Sequence, residues 1–147
     1  MDWHNFIKKY VWDENKTPYF TRVEKLTQEQ ARNEAFIYTV VMCTVAAVAA
    51  LFAAASASRQ PDLLLVAAAA YSVSVGASAV LFGFHKHVYA AVYCMTAPVA
   101  AFLYFLTAGF HPNLHTVDHV VLTGCMLLWL LYSLRVVAIA KAYPDMP

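Results

Sequence analysis

Residues 35–58 read AFIYTVVMCTVAAVAALFAAASAS, an apolar stretch that contains no charged side chain. About 20 such residues are enough to cross the ~30 Å hydrocarbon core of a bilayer as an α-helix. A strand is a poor alternative, because the stretch lacks period-2 alternation and is crowded with alanine, the strongest helix former. This stretch therefore predicts a membrane-spanning helix, and it decides the fold class.

Three further stretches of the same character follow, at 63–84, 88–108 and 117–140. The connections between the four stretches are short, so consecutive helices are expected to lie antiparallel. Composition agrees: 61% of the 147 residues are hydrophobic and 13% are charged, whereas soluble domains have about 25% charged residues. We therefore predict an all-α integral membrane protein, a four-helix up-down transmembrane bundle.

The predicted helical domain covers residues 27–141, between a cytoplasmic or interfacial segment (1–26) and a short tail (142–147). In the first segment, apolar residues spaced i, i+3, i+4, i+7 and i+8 make one face of a short amphipathic helix, which would lie in the membrane interface or dock on a partner. They are Trp3, Phe6, Ile7, Tyr10 and Val11. Thr27 and Gln30 match a capping box, which predicts that the first long helix begins near Gln28.

The basic residues predict the orientation. Nine of the ten Lys and Arg fall on one side of the predicted bundle, namely Lys8, Lys9, Lys16, Arg22, Lys25, Arg32, Lys86, Arg135 and Lys141. Only Arg59 falls on the other side. Because basic residues concentrate on the cytoplasmic side of membrane proteins, both termini are expected in the cytoplasm. The compact loops favour a bacterial inner membrane.

Small residues at four-residue spacing mark the expected contact between the first two helices. In lipid, such ladders let two backbones approach closely. The ladders are Ala46, Ala50, Ala54 and Ser58 on the first helix, and Ala68, Ser72 and Gly76 on the second. The fourth helix is instead bulky nearly all round, which suits contact with lipid or with a large partner surface.

One cluster has the residue types of a metal site. His115 and His119 are four residues apart, a spacing that places both imidazoles on one face of a helix. Asp118 could orient an imidazole or supply an oxygen, and His111 could complete the set from the preceding loop. The alternative is a polar helix start, in which Thr116 or Asp118 acts as a cap.

Arg135 is a charge inside a predicted span, which makes it a functional candidate. It lies about 9 Å from Lys141 along the helix, at 1.5 Å per residue. At this depth the guanidinium can reach the headgroups by snorkelling, which is the expected arrangement. The alternative is a salt bridge to Glu34 or to a carboxylate of a partner.

No catalytic motif and no cofactor motif is present, so we expect a non-catalytic accessory or scaffold subunit of a larger membrane complex. One alternative is a metal-binding membrane protein or enzyme that holds a divalent metal on the histidine cluster. Another is a small oligomeric transporter or channel. The expected partners are the lipid bilayer and other membrane subunits, with self-association an option. A net charge of +1 gives no reason to expect nucleic acid.

Overall fold

Four long helices account for most of the chain in a computed structural model that describes residues 18–19, 21–59, 62–108 and 116–147. Within these residues there is no strand. The helices are α1 (Gln28–Arg59), α2 (Leu63–His85), α3 (Val88–Ala108) and α4 (Thr116–Ala142), flanked by the short 3₁₀ helices Val23–Lys25 and Tyr143–Asp145. All four are long and apolar enough to cross a membrane, which indicates a multi-pass membrane protein and confirms the prediction of four apolar helices.

The start of α1 is a capping box. The Thr27 amide donates a hydrogen bond to Oε1 of Gln30 at 3.1 Å, and the Gln30 amide donates to Oγ1 of Thr27 at 3.3 Å. These bonds satisfy two backbone groups that have no partner within the helix. The predicted helix start near Gln28 is therefore confirmed. The amphipathic helix predicted from Trp3, Phe6, Ile7, Tyr10 and Val11 lies outside the described residues.

Replacing Thr27 with alanine is expected to lower the free energy of unfolding by about 1 kcal/mol, because the Gln30 amide loses its side-chain acceptor. Thermal unfolding in a mild detergent measures the change. Thr44→Ala is the matched control, since its hydroxyl only bonds back to the Val40 carbonyl within the helix and adds little stability. Equal losses in the two variants would contradict the capping role.

Helices α1 and α2 run antiparallel and in close contact. A Cβ built on Gly83 would lie 2.8 Å from Cγ2 of Thr39, and one built on Gly76 would lie 3.4 Å from the Cβ of Ala46. The Cys43 thiol lies 3.8 Å from the Gly76 carbonyl oxygen. At Gly83 an added side chain would clash with Thr39, so a glycine there allows the two backbones to approach closely, as expected of helix packing in lipid.

The next two helices are also antiparallel. Tyr71 of α2 contacts Thr96 of α3 through their hydroxyls at 2.6 Å, and Ser74 contacts Tyr93 at 2.7 Å. The bundle therefore has two ends. We call the end that holds residues 21–27, 143–147 and the α2–α3 link the terminal end, and the opposite end the far end.

The main core lies almost entirely in the half of each helix nearest the terminal end. Its buried members are Ala35, Tyr38, Met42, Ala46, Val75, Ala79, Phe82, Ala91, Cys94, Val136, Val137 and Ala140. In the far half of the described helices, buried apolar side chains are sparse, with Ala53 and Met126 as examples. The four helices are thus held together mainly at the terminal end.

A second, smaller core joins the segment before α1 to the end of α4. Leu26, Ala31 and Ile139 are buried together, and Val23 and Tyr143 pack against them. Burying Leu26, which lies before α1, contributes roughly 1.5–3 kcal/mol. This contact fixes the path of the chain as it enters α1.

Candidate functional site

The most polar site of the described bundle lies near the terminal end, between α1 and α4. Nε of Arg135 donates to Oε1 of Glu34 at 2.7 Å, and Nη2 donates to Oε2 at 3.1 Å. The Glu34 side chain is 0% exposed and that of Arg135 is 19% exposed. The pair is therefore a two-point, largely buried salt bridge, the strongest geometry that arginine and a carboxylate can form.

Arg135 also binds the chain that precedes α1. Its Nη1 donates to the Thr21 carbonyl at 2.6 Å, and Nη2 lies 3.4 Å from the Pro18 carbonyl. One guanidinium thus connects α1, α4 and the segment before α1. Burying a charge is costly unless it is paired and hydrogen-bonded. The two carbonyls accept from N–H groups of Arg135 that do not bind Glu34, and they thereby complete the site.

Hydroxyl groups extend this site one turn deeper into the bundle. Tyr38 donates to the Ser133 hydroxyl at 3.0 Å, and Ser133 donates to the Trp129 carbonyl at 2.9 Å. The Tyr132 ring lies 5.9 Å from that of Tyr38, centre to centre. Its buried hydroxyl has no hydrogen-bond partner among the residues that the structure describes. We call Glu34, Tyr38, Tyr132, Ser133 and Arg135 the polar cluster.

The polar cluster is suited to holding helices together. Arginine keeps its proton at any physiological pH, so the Arg135 charge is a fixed partner for the Glu34 carboxylate. Both carboxylate oxygens of Glu34 accept from Arg135. The arrangement therefore clamps α1 to α4.

Of the two arrangements expected for Arg135, the structure has the salt bridge to Glu34. Snorkelling is not observed, because the guanidinium turns toward α1 and the chain before it. Sequence reasoning missed the Tyr38–Ser133 hydrogen bond and the backbone carbonyls of Pro18 and Thr21. A tyrosine one turn after Glu34 and a serine two residues before Arg135 were the available signals for the first of these.

The predicted metal ligands are only partly within the described residues. His111 and His115 lie outside them. Asp118 and His119 are neighbours in the first turn of α4, and both are partly buried. Across the described ranges, no group of three or more His, Cys, Asp or Glu side chains is placed to hold a metal ion. The metal site therefore stays a prediction.

The small-residue ladder behaves differently along its length. Ala46 is buried against Gly76. Farther along, Ala50 and Ser72 are half-buried, whereas Ala54, Ser58 and Ala68 are exposed. Since a step of four residues on α1 matches a step of four on antiparallel α2, the contact of Ala46 with Gly76 places Ala54 opposite Ala68. We call Ala54 and Ala68 the small-residue patch.

No protein-family model, no curated protein and no solved structure matches this chain.

Proposed function

We propose that this chain is a non-catalytic accessory or scaffold subunit of a larger membrane protein complex, built as a four-helix up-down transmembrane bundle. Both termini face the cytoplasm in this proposal, because nine of the ten Lys and Arg belong to that side. The short α1–α2 and α2–α3 links favour a bacterial inner membrane. The N-terminal apolar residues Trp3, Phe6, Ile7, Tyr10 and Val11 would add a second contact with the partner or with the membrane.

The observation that carries the proposal is the exposed small-residue patch in the far half of the α1–α2 pair. Ala54 and Ala68 are exposed, while the same ladder is closed by close packing at Ala46 and Gly76. Small side chains contribute little contact with lipid tails, but they let another helix approach the backbone. A transmembrane helix of a partner subunit is the occupant that fits this surface.

The uneven core supports the same reading. The terminal half holds most of the buried side chains of the main cluster, and the polar cluster clamps α1 to α4 there. In the far half, large side chains such as Leu51, Phe52 and Leu106 are exposed. The far half is therefore free to receive helices from outside without disturbing the contacts that hold this chain together.

The test is native-gel separation of gently solubilised membranes, followed by mass spectrometry of the band that contains this chain. We expect migration with a reproducible set of other membrane proteins. Ala54→Leu and Ala68→Leu should abolish this association, because the larger side chains hold a partner helix away from the backbone. Val48→Phe is the matched control, since Val48 is 62% exposed on the same helix and lies about 120° around it from Ala54.

Two results would overturn the proposal. Migration of the wild-type chain at its own mass would show that it has no partner. Migration at a small multiple of that mass, without other proteins, would assign the patch to self-association and favour the oligomeric transporter or channel. Circular dichroism of the purified variants ensures that a lost association does not reflect a lost fold.

A further inference from the structure

A basic pocket opens at the terminal end, between the beginning of α1 and the end of α2. Its volume is about 440 Å³, which is within the range of small-molecule sites. We call it the basic pocket, and its lining residues are Arg32, Asn33, Phe36, Gly83, Phe84, His85, Lys86 and Tyr143.

We propose that the basic pocket binds the phosphate of an anionic phospholipid from the cytoplasmic leaflet. Arg32 and Lys86 bring two cations to one cavity. The imidazole of His85, the amide of Asn33 and the phenol of Tyr143 lie beside them as further donors. Arginine matches the oxygen geometry of a phosphate, and lysine acts as a point charge. Pockets of this kind between transmembrane helices on the cytoplasmic side suit anionic headgroups.

The apolar part of the lining favours a lipid. Phe36 is 63% exposed and Phe84 is 81% exposed. Phe36 lies one helical turn beyond Arg32, toward the far end. Because α2 runs in the opposite direction, Phe84, which precedes Lys86, also lies toward the far end from that lysine. With the phosphate between the cations, acyl chains would run along these two rings into the hydrocarbon layer. A pocket with charge at one end and exposed aromatic rings at the other complements an amphiphile.

Lys86 is held in a backbone conformation that glycine usually supplies. Its φ is 53°, in the left-handed region, where a helix most often ends with glycine or asparagine. The ammonium folds back to donate a hydrogen bond to the Gly83 carbonyl, which leaves two of its three N–H donors for other acceptors. The left-handed conformation is costly for a lysine, and Lys86 adopts it beside a pocket. This combination points to a functional use of the Lys86 side chain.

The electrostatics of the pocket favour an anion. Burial lowers the pKa of the Lys86 ammonium, and the nearby Arg32 charge lowers it further. A phosphate between the two cations would oppose both effects, since an opposite charge stabilises the charged form. Nη2 of Arg32 also lies 3.9 Å from Oε1 of Glu29. Both side chains are more than 60% exposed, and salt bridges between exposed side chains are weak. The guanidinium can therefore leave Glu29 for a phosphate.

The test measures binding of dioctanoyl phosphatidylglycerol to the full chain in a mild neutral detergent, by native mass spectrometry and by titration calorimetry. Dioctanoyl phosphatidylcholine is the comparison lipid, because it has the same phosphate and chains but a compensating choline cation. We expect the anionic lipid to bind about 25-fold more tightly than the zwitterionic one, since two basic side chains contribute about fivefold each.

Two variants remove the charges without removing the fold. Arg32→Gln acts at an exposed position, and Lys86→Asn retains a residue that tolerates the left-handed conformation. Each should weaken binding of the anionic lipid about fivefold. Lys86→Arg should retain binding. Lys141→Gln and Arg59→Gln, which remove exposed cations elsewhere in the chain, should leave the affinity unchanged.

Three results would overturn the proposal. Equal affinity for the two lipids would show that the charge of the headgroup is not recognised. Unchanged binding in both Arg32→Gln and Lys86→Asn would place the lipid elsewhere. Displacement of the lipid by inorganic phosphate at a similar concentration would make free phosphate the ligand, because a lipid site gains most of its affinity from the acyl chains.

Discussion

Replacing Arg135 with leucine is expected to lower the free energy of unfolding by about 3–5 kcal/mol, because Glu34 is then left buried without its charge partner. The Glu34 side chain is 0% exposed, so water cannot take the place of the guanidinium. The carbonyls of Thr21 and Pro18 lose a donor in the same step. Unfolding of the purified chain in mixed micelles, followed by circular dichroism as SDS is added, measures the loss.

The double variant Glu34→Leu with Arg135→Leu separates an unpaired charge from a lost contact. Replacing both members of a buried ion pair with apolar side chains is often close to neutral, so the double variant should be more stable than Arg135→Leu alone. Lys141→Leu is the control for removal of a cation from the same helix, since Lys141 is exposed. A loss below about 1 kcal/mol in Arg135→Leu would show that the salt bridge does not hold the bundle together.

The second large effect is expected at Gly83. An added Cβ would lie 2.8 Å from Cγ2 and 2.9 Å from Oγ1 of Thr39, and Thr39 is held in place by its hydrogen bond to the Ala35 carbonyl. Gly83→Ala therefore forces α1 and α2 apart, at a cost of about 1–3 kcal/mol. The same unfolding measurement in mixed micelles tests this.

Gly124→Ala is the matched control for Gly83→Ala. Apart from its own helix, none of the described residues has an atom within 4 Å of the added Cβ at Gly124, so the better helix propensity of alanine should raise stability by up to about 1 kcal/mol. Adding Thr39→Ala to Gly83→Ala removes the two closest atoms and should recover most of the loss. If the two glycine variants change stability in the same direction, close packing at Gly83 is not what holds the helices together.

The four helices could be predicted because each apolar run is long enough to span a bilayer and no charge interrupts its centre. The start of α1 could be predicted because a capping box requires only Thr27 and Gln30, three residues apart. The contact of Ala46 with Gly76 belongs to a ladder that predicts helix packing by its spacing. In each of these cases, residues close together in the sequence are the physical cause of the structural feature.

The rest could not be predicted because its causes lie far apart in the chain. The two carbonyls that complete the Arg135 site belong to Pro18 and Thr21, and backbone acceptors leave no mark in the sequence. The Glu34 partner was one of several alternatives, because only the fold brings it to Arg135. Likewise, the ladder has the same composition at Ala46 and at Ala54, although one is buried and the other exposed.

The salt bridge between Glu34 and Arg135 also constrains biogenesis. The ribosome adds Arg135 as the 101st residue after Glu34. Until then the carboxylate has no cation from α4, so α1 is expected to keep its first turns at the water interface during insertion. Insertion of α4 then brings the Arg135 charge to Glu34, and the salt bridge joins the first turns of α1 to α4. A chain in which α4 has not inserted is therefore expected to keep Glu34 exposed to water, because an unpaired charge is costly to bury.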